Sequence, residues 1–83
     1  IVRAIEAESF AGDKLAALKF SGKSARLRAE EARRVLDLFS FSTDKMEALT
    51  FLRDKISDPQ NWQVLVEAFS SSVDREKART MAP

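Results

Sequence analysis

A short motif that ends one helix and begins another recurs along this chain. Its first copy, Phe10-Ala11-Gly12-Asp13-Lys14-Leu15, reappears about 30 residues later as Phe41-Ser42-Thr43-Asp44-Lys45-Met46. A weaker third copy, Ser71-Ser72-Val73-Asp74-Arg75, follows at nearly the same spacing. Repeats of this length are typical of stacked helix pairs, in which no single unit can bury its own apolar face. The spacing therefore predicts an all-α fold of five or six short helices in stacked pairs.

The length and composition fit one small domain, so we expect residues 1–83 to form a single helical unit. With no Cys and no His, the core must be stable without a disulfide or a zinc site. The ends of the sequence indicate a piece of a longer protein, with residues near 80–83 frayed. No targeting segment and no apolar run long enough to cross a bilayer is visible. We therefore expect a soluble domain, and its compartment stays open.

The spacing of apolar residues predicts where the helices lie. The predicted ranges are 2–9, 14–20, 29–38, 44–56 and 59–69, with a last helix that begins near residue 73. Gly12 and Asp13 should separate the first two helices, while Asp44 and Asp58 should cap the helices that follow them. The aromatic rings expected in the core are those of Phe10, Phe20, Phe39, Trp62 and Phe69.

The chain lacks the residue types on which most active sites depend. Without His, Cys or Tyr, the usual acid-base and thiol chemistry near neutral pH is missing. Glu30 and Glu31 are adjacent, but neighbours on a helix point about 100° apart and cannot act on one group. Asp residues at predicted helix starts are explained better by capping than by a metal site. The sequence predicts no enzyme, no cofactor and no metal centre.

Two groups of residues are candidates for binding a partner. Residues 19–34 hold six basic side chains against two acidic ones, in a chain whose net charge is only +1. This stretch could bind a phosphate-bearing or acidic partner, although a solvated helix face partly neutralised by its own acids is the favoured interpretation. Phe41 and Phe51 fit their apolar stripes least well, which favours exposed contact positions. The candidate residues are Arg26, Arg28, Arg33, Arg34, Phe41 and Phe51.

The segment Leu36-Asp37-Leu38-Phe39-Ser40-Phe41, followed by Asp44-Lys45-Met46, resembles the core motif of the family called domain of unknown function 4476. Residues 10–15 and 58–73 resemble other parts of that family, so the similarity covers nearly the whole chain. It implies a compact all-helical module, often attached to other segments and without an established activity. Family members usually place Ser or Thr as the cap before the core motif, where this chain has Leu27-Arg28.

Together these observations predict a non-catalytic helical module for protein interaction or scaffolding, with a protein or peptide partner. The alternative is binding of a polyanion, either nucleic acid or a phospho-ligand, through the Arg26–Arg34 stretch. The small net charge disfavours nucleic acid. Salt separates the two functions, because polyanion binding weakens steeply as salt rises and apolar binding does not. Self-association is a third option, and the sequence leaves the oligomeric state open.

Overall fold

A computed structural model describes residues 2–83, and the regular structure in this range is helical. Ile1 lies outside the described residues. Two short 3-10 helices, Arg53–Lys55 and Pro59–Asn61, connect the fourth and fifth α-helices. The α-helices are α1 (Val2–Glu6), α2 (Ala11–Ser21), α3 (Ala29–Leu36), α4 (Ser42–Leu52), α5 (Gln63–Val66) and α6 (Ser72–Thr80). The predicted all-α class is confirmed. None of the helices within 2–83 has the length and apolar character that a bilayer crossing requires.

The helices pack as three successive pairs, α1 with α2, α3 with α4, and α5 with α6. The first helices of the pairs also pack on one another, as do the second helices, so that α1–α3–α5 and α2–α4–α6 form two layers. The shortest dimension of the backbone is 15 Å, which matches two helix layers about 8–10 Å apart. This architecture confirms the prediction of stacked helix pairs. The repeat of about 30 residues is not itself confirmed and stays a prediction.

The hydrophobic core lies between the two layers and takes side chains from all six helices. The largest fully buried side chain among residues 2–83 is Phe69, at 1% exposure, and Phe39 is similarly buried at 2%. Both rings lie in turns, at the ends of α5 and α3. Helix α3 matches its predicted pattern fully, and its predicted core residues are all buried: Ala29, Ala32, Val35, Leu36 and Phe39. Met46, for which the pattern predicts a core position, is only half-buried and packs against the edge of the core.

The predicted break at Gly12 and Asp13 is wrong. Helix α2 begins at Ala11, so that both residues lie in its first turn, and the extended residue before it is Phe10 (φ −108°, ψ 146°). Among the described residues no glycine has a positive φ, and therefore Gly12 ends no helix. The predicted cap at Asp44 is wrong in the same way, since α4 begins at Ser42 and Asp44 lies inside its first turn. There its charge is favourable to the helix dipole without capping it.

Several helices end earlier than their apolar patterns predict. The amide N–H groups of Leu38 and Phe39 bond to carbonyls three residues earlier, at 3.1 Å each. Ala68 and Phe69 do the same after α5, at 3.1 and 3.2 Å. This tightening from α to 3-10 geometry is a common way to finish a helix. The apolar pattern continues through these turns because their side chains still face the core, and so it overstates the helix length.

The connections between successive pairs, residues 22–28 and 53–62, lie side by side, and we call this side of the domain the connector edge. Leu27 donates its amide to Lys55 O at 2.8 Å, and Ser57 donates its amide to Leu27 O at 2.7 Å. These bonds form an isolated parallel bridge between Leu27 and Ile56. At the end of the chain, half-buried Met81 accepts a hydrogen bond from Arg53 Nε. Fraying of residues 80–83 stays a prediction.

Asp58 caps a different helix from the one that its local pattern predicts. Its side chain makes no cap bond to the helix that follows it; instead its Oδ1 accepts the Ala29 amide at 2.6 Å, at the start of α3. Its Oδ2 accepts from Asn61 Nδ2 at 2.9 Å. The residue before α3 is Arg28, which has no side-chain oxygen to serve as a cap. Asp58 thus supplies from the neighbouring connection the acceptor that Ser or Thr usually provides.

We expect the stability of this domain to fall in acid partly through Asp58. The hydrogen bond from Asn61, the bond from the Ala29 amide and the charge of Arg28 lower the pKa of the Asp58 carboxyl, against a smaller opposing effect of desolvation. The pKa of Asp58 in the folded protein lies below its unfolded value of about 3.9. The carboxylate therefore contributes fully to the free energy of unfolding above that pH. This contribution is then lost as pH falls through the folded pKa.

The measurement is the urea midpoint of wild type and Asp58→Asn, from neutral pH down to about pH 3. Wild type should be the more stable protein near neutrality, and the difference should narrow below about pH 4. Asp13→Asn removes an exposed carboxylate and controls for the loss of one charge. A difference between wild type and Asp58→Asn that stays constant over this range would contradict the prediction.

Candidate functional site

The turns within the three pairs, residues 7–10, 37–41 and 67–71, lie along the side of the domain that we call the turn edge. Two lysines connect neighbouring turns. Lys14 Nζ, in α2, donates to Leu38 O at 2.8 Å, and Lys45 Nζ, in α4, donates to Ala68 O at 2.9 Å. Each ammonium therefore fixes the start of one helix against the turn that precedes the next helix of the same layer.

Of the four large apolar side chains that are exposed in residues 2–83, three lie on or beside the turn edge. Phe10 and Phe41 immediately precede α2 and α4 and are 72% and 67% exposed, while Val73 in the first turn of α6 is 64% exposed. The expectation that Phe10 lies in the core is wrong. Its position precedes the first turn of α2, outside the buried stripe formed by Leu15 and Leu18. The exposed position predicted for Phe41 is observed.

Phe10 and Phe41 line a common cleft of about 250 Å³, which we call the phenylalanine cleft. Phe39, almost fully buried, connects this cleft to the core. The remaining walls are small or aliphatic apart from Lys14, which is the only charged side chain that residues 2–83 contribute to the cleft. The full set is Ser9, Phe10, Ala11, Lys14, Leu38, Phe39, Ser40 and Phe41. Mostly apolar walls with a few polar groups, here Lys14 and two serine hydroxyls, are typical of a recognition cleft.

The ammonium of Lys14 is held in place, but not all of its N–H donors are used within the described residues. The side chain is half-buried, and the one hydrogen bond it makes within the described residues 2–83 goes to Leu38 O. A lysine ammonium carries three N–H donors, so two remain for water or for a ligand in the cleft. The bond to Leu38 also limits the freedom of a long side chain, which lowers the entropy cost of a further contact.

The four candidate arginines do not form one free cluster. Arg33 spans α3 and α5, with Nε on Asp37 Oδ1 at 3.1 Å and Nη1 on Val64 O at 3.2 Å. Arg34 lies 3.9 Å from Glu30, which is four residues earlier on the same helix. Arg33 pairs with Asp37 rather than with Glu30. Arg33 is thus bound within the domain, whereas Arg34 stays largely exposed beside Glu30.

The other two candidate arginines lie near the connector edge. Arg26 Nη1 donates to Asp54 O at 3.4 Å. The exposed Arg28 lines a small cleft together with Glu30, Asp58, Asn61 and Val64. Acidic side chains therefore surround Arg28, while Arg26 remains directed toward a backbone carbonyl.

Phe51 is less exposed than its candidate role requires. It is half-buried, packs against the core, and has Lys55 Nζ 4.9 Å from its ring centroid. That distance fits a cation–π contact, which covers the ring face that a partner would use. Phe51 therefore stays a predicted site residue, although little of its ring is free to contact a partner.

Phe20 is the most exposed aromatic ring in residues 2–83, at 87%, although the sequence predicts that it faces inward. Residues Leu15 and Leu18 fill the buried stripe of α2, and Phe20 falls on the opposite face. Lys23 lies three residues further on, in the turn after α2, and its carbonyl accepts from Lys55 Nζ at 3.2 Å. We call this part of the surface the basic end and define it by four residues: Phe20, Lys23, Arg26 and Lys55.

A larger cavity of about 310 Å³ lies between α4 and α6. Its walls carry Glu47, Asp74 and Lys77 together with three hydroxyl side chains, and Met46 is its one large apolar wall residue. In residues 2–83 no group of three or more Asp or Glu side chains is arranged to hold a metal ion. This cavity therefore offers neither the apolar walls of the phenylalanine cleft nor a metal site.

The sequence contained one signal for the missed cleft residue. Phe10 and Phe41 occupy the same position in the recurring motif, directly before a helix that begins with a small residue. Phe41 was assigned an exposed position from its poor fit to an apolar stripe, and the shared motif position would have extended that assignment to Phe10. Lys14 carried no comparable signal, since its role depends on the distant carbonyl of Leu38.

Fold and site together define a small all-α module of stacked helix pairs, with an aromatic cleft at the turn edge. The chain belongs to the family described as Domain of unknown function (DUF4476), which it matches over residues 1–82. The resemblance inferred from the core motif is thereby confirmed. Comparison with curated proteins and with solved structures finds no match.

Proposed function

We propose that this domain is a non-catalytic interaction module that binds a segment of another protein in the phenylalanine cleft. The observation that carries the proposal is that two largely exposed phenyl rings, Phe10 and Phe41, line one cleft. An exposed apolar surface beside a cavity is a common sign of a binding site. Full burial of a phenylalanine side chain contributes about 1.5–3 kcal/mol, so this pair can anchor a peptide.

The scaffold around the cleft supports the same function. The two rings are carried by turns that the Lys14–Leu38 hydrogen bond and the buried Phe39 hold together. Binding to a preformed cleft costs less ordering entropy than binding to a mobile loop. The cleft has one charged group and so offers no acid-base pair, which agrees with an interaction role rather than catalysis.

The test is selection of random peptides displayed on phage against the immobilised domain. Wild type should enrich apolar peptides, and the double variant Phe10→Ser/Phe41→Ser should bind them about tenfold or more weakly. Phe20→Ser is the matched control, because it removes a ring of similar exposure from a different surface and should bind like wild type. Thermal midpoints of all three proteins verify folding. Equal binding by the double variant, or no enrichment at all, would reject this function.

Polyanion binding remains the second candidate, and the basic end rather than the α3 arginines favours it. Lys23, Arg26 and Lys55 form no ion pair among residues 2–83; Lys55 donates to the Lys23 carbonyl, and the exposed Phe20 lies three residues before Lys23 in the chain. Exposed rings next to cations suit stacking of unpaired bases. A labelled oligothymidine added in the same assay measures this function. Binding that falls about tenfold from 50 to 200 mM salt and is lost in Phe20→Ser would replace the cleft proposal.

A further inference from the structure

We infer that the phenylalanine cleft binds a peptide segment in which an apolar side chain lies next to an acidic one. The apolar side chain lies between the rings of Phe10 and Phe41, and the carboxylate bonds to Lys14 Nζ. This inference rests on the proposed function and names the chemistry of its partner. It depends on what lines the cleft and on how the lysine is held.

The charge of the cleft selects an acidic group. Lys14 is the only charged residue among the eight that line it, and the neighbouring Asp13 is exposed outside that set. A basic segment would place a second cation against a fixed ammonium between apolar walls, where like charges repel more strongly than in water. A carboxylate instead accepts one of the two N–H donors that Leu38 leaves free, as a charge-assisted hydrogen bond.

The course of the turn edge favours an internal segment over a chain terminus. The edge continues past Phe41 to Lys45, whose ammonium is held on Ala68 O as Lys14 is held on Leu38 O. A ligand that lies along this edge can therefore continue beyond the cleft on the Phe41 side. An Asp or Glu side chain within a running segment fits this geometry, whereas a terminal carboxylate would end the ligand at Lys14.

Three peptides with acetylated and amidated ends provide the probe. They share the sequence Gly-Ser-Gly-Leu-Xaa-Leu-Gly-Ser-Gly, where Xaa is Asp, Asn or Lys, and each is titrated into ¹⁵N-labelled domain while amide shifts are followed. We expect the Asp peptide to bind about fivefold more tightly than the Asn peptide, as a half-exposed ion pair allows, and the Lys peptide to bind most weakly. Shifts should centre on Ala11, Leu38 and Phe41.

Two lysine variants separate the charge from the cleft itself. Lys14→Gln keeps a donor for Leu38 O but removes the positive charge, so the Asp and Asn peptides should bind it equally. Lys45→Gln is the matched control, because it changes the equivalent contact at the next turn and should retain the fivefold preference. A preference that survives in Lys14→Gln would overturn the assignment of the carboxylate to Lys14.

The remaining outcomes distinguish the inference from the proposed function. Equal binding of the Asp and Asn peptides, with loss in Phe10→Ser/Phe41→Ser, would overturn the acidic requirement and leave the interaction function intact. If a peptide that ends in Leu with a free terminal carboxylate bound more tightly than the Asp peptide, the assignment of an internal segment as the ligand would be overturned. Failure of all three peptides while displayed peptides are still enriched would overturn the inference alone, and failure of both assays would reject the function as well.

Discussion

Truncation of Phe69 to alanine should lower the free energy of unfolding by about 3–5 kcal/mol. The ring is 1% exposed, in the turn between α5 and α6, and it has the largest volume among the fully buried side chains. Its removal leaves a cavity that the turn cannot collapse into, because the Phe69 amide is bonded to Val66 O and its carbonyl accepts Arg75 Nε at 2.7 Å. Since proteins unfold with about 0.05–0.15 kcal/mol per residue, the loss is about a quarter or more of the total free energy of unfolding.

Urea denaturation followed by far-ultraviolet circular dichroism measures this loss. Phe39→Ala should behave similarly, because Phe39 is 2% exposed in the corresponding turn after α3. Phe41→Ala is the control: its ring is largely exposed, and a change within about 0.5 kcal/mol is expected. Losses below about 1 kcal/mol at both buried rings would show that they do not close the core at these turns.

The parts of the fold that depend on local pattern could be predicted. The apolar positions of α3 identify its buried face without error, since each falls on one helical stripe. Short connections between short helices imply neighbours that pack on one another, and the three observed pairs follow. Helix ends were less predictable. Phe39 and Phe69 continue the apolar pattern of their helices but lie in turns with 3-10 hydrogen bonds, a distinction that apolar spacing does not contain.

Contacts between distant segments could not be predicted, because single-residue rules refer to the nearest helix. Asp58 followed by Pro59 has the local pattern of a helix start, which predicts a cap at that position. Its carboxylate instead bonds to the Ala29 amide, which only the packing of the two connections brings near. Likewise Arg33 bonds to Val64 O in the neighbouring pair, which removes it from the arginine surface that its position on α3 predicted.

In the candidate site, too, local pattern predicted single residues, whereas contacts between distant segments could not be predicted. An exposed Phe41 follows from its poor fit to an apolar stripe, and Phe10 shares the motif position that makes it exposed. The cleft between them requires the turns of successive pairs to be adjacent, which the Lys14–Leu38 bond reveals. Phe10 and Phe41 share a position in the recurring motif, yet apolar spacing predicted an exposed ring only for Phe41, so one ring of the pair was missed.

Trp62→Ala should produce the second large loss, about 3–5 kcal/mol, and should release α6 from the domain. Trp62 is 5% exposed, and its Nε1 donates to Ala78 O in α6 at 2.7 Å. Ala78 is the only fully buried residue of α6, so this helix has little apolar surface of its own to hold it. Loss of the indole therefore removes both the packing partner and the hydrogen bond. Amide hydrogen exchange should show α6 unprotected while α3 and α4 retain protection.

Trp62→Phe separates these two contributions. The phenyl ring keeps much of the buried apolar surface but has no N–H donor. Ala78 O still accepts the amide of Met81 at 3.2 Å, so the carbonyl is not left without a partner. The expected cost is about 1 kcal/mol, the net value of one hydrogen bond. If Trp62→Phe instead destabilised the domain as much as Trp62→Ala, the hydrogen bond rather than the packed ring would be what holds α6 in place.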